Sequence, residues 1–124
     1  MFELDICKEF SAAHFLKGYP GNCASLHGHN WKVQVFVRSS ALDGIGIALD
    51  FKVLKKELDA ILAELDHRCL NDLELFSGCN PTSENLARYI YRRLSGVVND
   101  GEKIRVSKVR VCESEHSGAA YFED

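Results

Sequence analysis

Apolar and polar residues alternate at the start of the chain, with Phe2, Leu4 and Ile6 interleaved with Glu3, Asp5 and Cys7. A period of two marks a strand with one buried face. The alternation drifts at Lys8-Glu9, where the pattern predicts a bulge, and resumes through Phe10 and Ala12 to His14. Gly18-Tyr19-Pro20-Gly21-Asn22 reads as a loop. In the next strand Trp31, Val33, Val35 and Val37 share one side, and Lys32, Gln34 and Arg38 the other. It ends at Ser39-Ser40, ahead of a turn at Asp43-Gly44.

The period then changes. Asp50 is a fair N-cap, and after it Phe51, Leu54, Leu58, Ile61, Leu62 and Leu65 recur at helical spacing. This helix is expected to give way near Asp66-His67. Asn80-Pro81-Thr82 opens a second helix, because a residue before proline is held extended and threonine caps well. Leu86, Ile90 and Leu94 form its apolar stripe, and Gly96 is predicted to end it. Strands from Ile104 to Glu113 and from about Ala119 to Phe122 close the chain. The order ββααββ predicts an α+β fold, a four-stranded antiparallel sheet with both helices on one face, in a single domain over residues 1–124. Such a sheet has two open edges, which invite pairing with further copies.

Composition narrows the function classes. The formal net charge of −3 argues against a nucleic-acid binder, which is usually basic. No apolar run approaches the ~18–20 residues that span a bilayer, so no membrane partner is expected. The start of the chain lacks the basic flank and apolar block of a secretion signal. The five cysteines include no Cys-x-x-Cys pair. An odd count without a signal predicts free thiols in a reducing cytoplasm.

The chemistry begins at His27-Gly28-His29. Side chains two apart on a strand point to one face, so both imidazoles can converge on one ion. His14, at the end of the first strand, falls opposite them in an antiparallel pair. Three neutral imidazoles suit Zn²⁺ and leave a fourth position open, as catalytic zinc sites do, although the spacing alone admits copper, iron or nickel. Cys23 precedes His27 in the same loop. It is either a fourth ligand closing a structural site or a thiolate beside the metal acting as base or nucleophile. Asp66-His67 alone reads as a helix C-terminus with a dipole-compensating imidazole, Thr82 and Glu84 as helix-start chemistry, and Glu113 as an acidic strand-end residue. A hydrolase using metal-bound hydroxide is disfavoured by the absence of a His-Glu-x-x-His base beside the pair.

Taken in order, Phe10-Ser11-Ala12-Ala13-His14, Cys23-x-x-x-His27-Gly28-His29-Asn30-Trp31, Leu65-Asp66-His67, Asn80-Pro81-Thr82-Ser83-Glu84-Asn85 and Glu113 resemble the 6-pyruvoyl-tetrahydropterin synthase superfamily. The short chain and the short Cys23-to-His27 spacing resemble its bacterial branch, the 6-carboxytetrahydropterin synthases of queuosine biosynthesis. The resemblance implies a T-fold, with sheets joined edge to edge into trimeric barrels that stack as a homohexamer. It implies one zinc per subunit on His14, His27 and His29, and a zinc-dependent carbon–carbon lyase. The substrate would be 7,8-dihydroneopterin triphosphate, and the products 6-carboxy-5,6,7,8-tetrahydropterin, acetaldehyde and triphosphate. A pyruvoyl-type synthase or a pterin side-chain aldolase at the same site is the alternative, and a non-catalytic structural zinc protein lies outside the class. By similarity Cys23 is the proton-abstracting base, Asp66 and His67 assist it, Glu113 grips the pterin, and Thr82 and Glu84 lie near the ring. Two departures stand out: Phe15 where many relatives carry arginine, and Ser114-Glu115-His116-Ser117-Gly118 in place of a Thr-Pro-Thr-Ser run.

Overall fold

The computed structural model describes residues 1–124. Strand β1 (Phe2–His14) and strand β2 (His27–Ser39) form a long antiparallel hairpin. Helices α1 (Phe51–Leu62) and α2 (Ser83–Val98) follow, separated by the two-residue strand β3 (Arg68–Cys69). Strands β4 (Ile104–Ser114) and β5 (Ser117–Tyr121) complete the sheet, whose order is β3-β1-β2-β4-β5. No helix is long and apolar enough to cross a membrane.

The expected α+β layering holds, but the sheet has five strands rather than four and is mixed rather than purely antiparallel. Strand β3 runs parallel to β1, pairing Arg68 with Ala12 and Cys69 with Ala13. Two residues leave no periodicity to read, so tertiary docking alone makes this strand. The remainder of that edge of β1, from Phe2 to Ser11, has no strand beside it within the chain.

The predicted bulge at Lys8-Glu9 is absent, since β1 stays in register with β2 from Phe2↔Ser39 to His14↔His27. Lys8 simply occupies a core-facing position in the alternation. Its ammonium lies 3.4 Å from Asp59 of α1, and a lysine stem can lie over apolar neighbours while its charge reaches water.

Asp50 caps α1 as expected, its carboxylate accepting from the Lys52 amide at 2.8 Å. Leu54, Leu58, Ile61 and Leu62 are buried, and Leu65 just past the helix is fully buried. Phe51, counted in the stripe from its spacing, is 51% exposed. Thr82 caps α2 through the Asn85 amide at 3.1 Å.

Gly96 does not end α2. The helix runs on to Val98, and Asn99 leaves it with extended backbone. What stops it is the turn beyond. Asp100 Oδ1 accepts from the amides of Glu102, Lys103 and Ile104 at 2.9, 2.8 and 2.9 Å, and Gly101 takes φ 79, a left-handed conformation that costs glycine little. Asn99 Oδ1 meanwhile accepts from the Val106 amide at 2.7 Å. The core is one cluster between the helices and one sheet face, centred on Trp31, Val33, Val35, Leu58, Leu86 and Val109, none of which is exposed. The Trp31 indole N–H donates to the Ala12 carbonyl at 3.2 Å, satisfying its one polar atom.

Pairing of β2 with β4 stops at Lys32↔Cys112, and β4 is irregular between Cys112 and Ser114. Gly28–Trp31 therefore part from the end of β4. The gap is a cavity of about 760 Å³ bordered by His29, Lys32, Gln34, Arg110, Glu113 and Glu115.

Candidate metal centre

The hairpin register brings three histidines to one end of the sheet. His14 faces His27 directly, and Ala12 faces His29. With a period of two, all three side chains fall on the helix-facing side, above Trp31. Ring centroids are 4.6 Å apart for His14 and His27, 5.1 Å for His14 and His29, and 4.8 Å for His27 and His29. One nitrogen of each lies within 4.8 Å of the others.

Backbone carbonyls set the tautomers. His14 Nδ1 lies 2.7 Å from the Pro81 carbonyl, and His27 Nδ1 lies 2.7 Å from the Ser25 carbonyl. A carbonyl oxygen only accepts, so both Nδ1 atoms carry the proton and both Nε2 atoms keep a lone pair. The Nε2 atoms of His14 and His29 are buried with no hydrogen-bond partner. Orphaned buried acceptors are costly, and a cation on their lone pairs removes that cost. Burial lowers the pKa of His14 below the ordinary imidazole value, and the Pro81 bond opposes this only in part. Burial also lowers that of His29, opposed by the Glu113 carboxylate. Three imidazoles converging on one point, two of them anchored through Nδ1 with Nε2 left free, fit a zinc ion.

The group contains three histidines and not Cys23, so a four-ligand site closed by this thiol is not formed. Cys23 lies in a short 3-10 turn (Asn22–Ala24), half-buried, where its carbonyl accepts from the Leu16 amide at 2.8 Å. Glu113 stands beside the histidines, with Oε2 3.8 Å from His29 Nε2.

Asp66 and His67 leave the end of α1 through an irregular turn, as helix geometry requires if neighbours in sequence are to act together. His67 is the one non-glycine residue at positive φ, 58°. Asp66 Oδ2 lies 2.9 Å from His67 Nδ1, and Asp66 Oδ1 accepts from the Ser11 amide at 2.9 Å. The His67 amide donates to the Ser11 carbonyl at 2.6 Å. The Ser11 and His67 hydrogen bonds hold the Asp66 carboxyl below the usual range. His67 and His29 border one shallow groove across β1. Within the chain no hydrogen bond joins the Asp66–His67 pair to Cys23.

Thr82 spends its hydroxyl on capping α2, and Glu84 is exposed in the first turn. Neither borders the cavity beside Glu113. Several supporting residues escaped the sequence reading. Ser11 and Pro81 act through backbone groups, which carry no side-chain signal. Asn71 bonds both backbone groups of Phe15 at 2.9 Å, and Asn80 bonds those of Lys17 at 2.9 and 3.0 Å. These two amides hold the chain beyond His14 as a neighbouring strand would, and turn-rich asparagines were the only clue to them.

Comparison with known proteins finds relatives along nearly the whole chain. A family model described as 6-pyruvoyl tetrahydropterin synthase matches residues 3–124. The chain is 41% identical over 125 residues to the 6-carboxy-5,6,7,8-tetrahydropterin synthase of Synechocystis, covering 94% of this chain and 92% of the relative. It is 36% identical over 118 residues to the putative 6-carboxy-5,6,7,8-tetrahydropterin synthase of Archaeoglobus fulgidus, covering 94% and 91%. Among solved structures it superposes on the 6-pyruvoyl tetrahydropterin synthase of Caenorhabditis elegans with a TM-score of 0.87 at 29% identity, covering 99% of this chain and 96% of the other.

Proposed function

The chain belongs to the 6-pyruvoyl tetrahydropterin synthase family, and we propose that within it the protein is a zinc-dependent carbon–carbon lyase of the carboxy type. It converts 7,8-dihydroneopterin triphosphate and water to 6-carboxy-5,6,7,8-tetrahydropterin, acetaldehyde and triphosphate. The relatives in Synechocystis and Archaeoglobus, matched along nearly their whole length, support the carboxy branch. The observation that carries the reading is the trio of imidazoles, with the Nε2 atoms of His14 and His29 buried and orphaned, at the edge of a cavity that also holds Glu113.

His14, His27 and His29 hold the zinc, one ion per subunit. When bound, the ion supplies Lewis-acid polarisation of side-chain hydroxyls. The chain's own residues do the rest. Glu113 accepts adjacent N–H donors from the pterin edge, because a carboxylate takes two parallel hydrogen bonds. This fixes the ring so that its side chain projects toward the histidines. Cys23 as thiolate takes the proton from the side-chain carbon, the part of a positioned general base. Asp66 holds His67 through Nδ1, leaving Nε2 to pass a proton to or from Cys23. Thr82 and Glu84 approach the ring from the start of α2. The unpaired edge of β1 from Phe2 to Ser11 favours edge-to-edge association of copies, as trimers stacked into a homohexamer, in which the start of α2 at Thr82 and Glu84 and the Asp66–His67 turn serve neighbouring cavities.

The test is one anaerobic incubation of zinc-loaded protein with 7,8-dihydroneopterin triphosphate, read by mass spectrometry. A 6-carboxytetrahydropterin mass together with acetaldehyde is the expected result. A pyruvoyl product moves the protein to the sister branch, and release of glycolaldehyde makes it an aldolase. No turnover by zinc-loaded protein overturns the lyase reading.

A further inference from the structure

A second cleft lies away from the metal centre, between α2 and the segment before it. Its volume is about 370 Å³, and it shares no lining residue with the cavity at His29 and Glu113. That size is within the range of small-molecule sites, roughly 300–1,000 Å³. Three arginines of α2, Arg88, Arg92 and Arg93, line one wall, and Leu75, Phe76 and Tyr89 supply apolar surface.

The charges in this cleft are one-sided. Arg93 is neutralised, its guanidinium bonded to both oxygens of Glu64 at 2.7 and 3.1 Å and to the Tyr89 hydroxyl. Arg88 reaches only a neutral amide, donating to Asn85 Oδ1 at 2.6 Å, and Arg92 lies over the Tyr121 ring at 5.9 Å. Neither forms an ion pair, and no carboxylate lines the cleft. Two unpaired cations one helical turn apart repel each other, in a chain whose net charge is −3.

Guanidinium forks match oxyanions bidentately. Two forks on successive turns place two positive charges side by side. A polyphosphate offers several tetrahedral groups and satisfies both. The apolar wall of Leu75 and Tyr89 beside the forks suits a flat heterocycle attached to that chain. We propose that this cleft binds an aromatic polyphosphate of the nucleoside-triphosphate class, with the phosphates on Arg88 and Arg92 and the ring against Leu75 and Tyr89.

ATP is the probe, titrated calorimetrically into the zinc-loaded protein in its native assembly, with adenosine and inorganic triphosphate as separate arms. ATP is expected to bind with a Kd of about 100 µM or tighter. Adenosine and triphosphate alone should each bind roughly a hundredfold more weakly, since each keeps about half of the binding free energy. The double variant Arg88→Met/Arg92→Met should weaken ATP at least tenfold while leaving zinc content and pterin turnover unchanged. Arg88→Lys/Arg92→Lys should recover part of the affinity. Four outcomes overturn the proposal: no ATP binding at 1 mM; ATP binding unaffected by the double methionine variant; triphosphate binding as tightly as ATP; or binding that is lost in Glu113→Gln but survives in the arginine variant, which would place the nucleotide in the metal cavity.

Discussion

His14→Leu separates a metal ligand from an ordinary buried histidine. His14 is 1% exposed and packs against the rings of His27, His29 and Trp31 at 4.6, 5.1 and 4.9 Å. Leucine has a similar volume, so neither a large cavity nor overpacking follows. Without metal, two polar terms oppose each other. The variant leaves the Pro81 carbonyl without its partner, at a cost of about 1–3 kcal/mol, and removes the orphaned Nε2, a gain of about the same size. The two proteins should therefore agree in stability within about 1 kcal/mol when zinc is chelated. Free zinc at a hundredfold over its Kd stabilises the folded wild type by about 2.7 kcal/mol. The variant, with two histidines left, loses nearly all of this. At roughly 4 °C per kcal/mol for a chain of this size, the wild type should gain about 10 °C in Tm that the variant does not. The assay is urea and thermal unfolding of both proteins in chelator and in buffered zinc, at one fixed protein concentration. Equal destabilisation of the variant in both conditions would refute the ligand assignment and leave His14 as a structural residue.

Cys23→Ala should retain zinc, measured by metal analysis, while pterin turnover falls by about 10²–10⁴, the usual contribution of a positioned base; loss of zinc would instead put the thiol among the ligands. The Arg93 guanidinium holds the Glu64 carboxyl below its ordinary value. Glu64 therefore contributes stability above the ordinary carboxylate range that is lost as pH falls through its depressed folded pKa. In Arg93→Met, NMR titration should show the Glu64 pKa rising toward 4.5, with a stability loss at neutral pH below about 1 kcal/mol because the pair is largely exposed. In Gly118→Ala the new Cβ would overlap Cys112 Sγ and lie 3.1 Å from the Val111 carbonyl, so denaturant unfolding should show a loss of about 1–3 kcal/mol. Cys112→Ala on that background should recover only part, since the backbone contact remains.

The hairpin was legible because strand pairing follows a period of two. Once Phe2 to His14 and Trp31 to Val37 are read as strands, a register that brings His14 to His27 follows from the loop between them. Helix caps at Asp50 and Thr82 were legible for the same local reason, since a cap depends on a few consecutive residues. Local rules misjudged Lys8 and Gly96. At Lys8 a salt bridge to Asp59 lets a charged residue hold a core-facing position. At Gly96 the helix had no cause to stop until Asp100 and Gly101 built a turn that competes with it.

The chain's own order of residues thus determined the layers and the histidine trio, because each depends on spacing along one or two adjacent strands or helices. Tertiary structure alone decided the parallel strand at Arg68–Cys69, the left-handed turn that docks Asp66 and His67 on Ser11, and the carbonyl of Pro81 that leaves Nε2 free on His14. These contacts join segments up to 67 residues apart and use backbone atoms that every residue possesses. No local pattern marks them, and they form only when packing of the helices on the sheet brings the segments together.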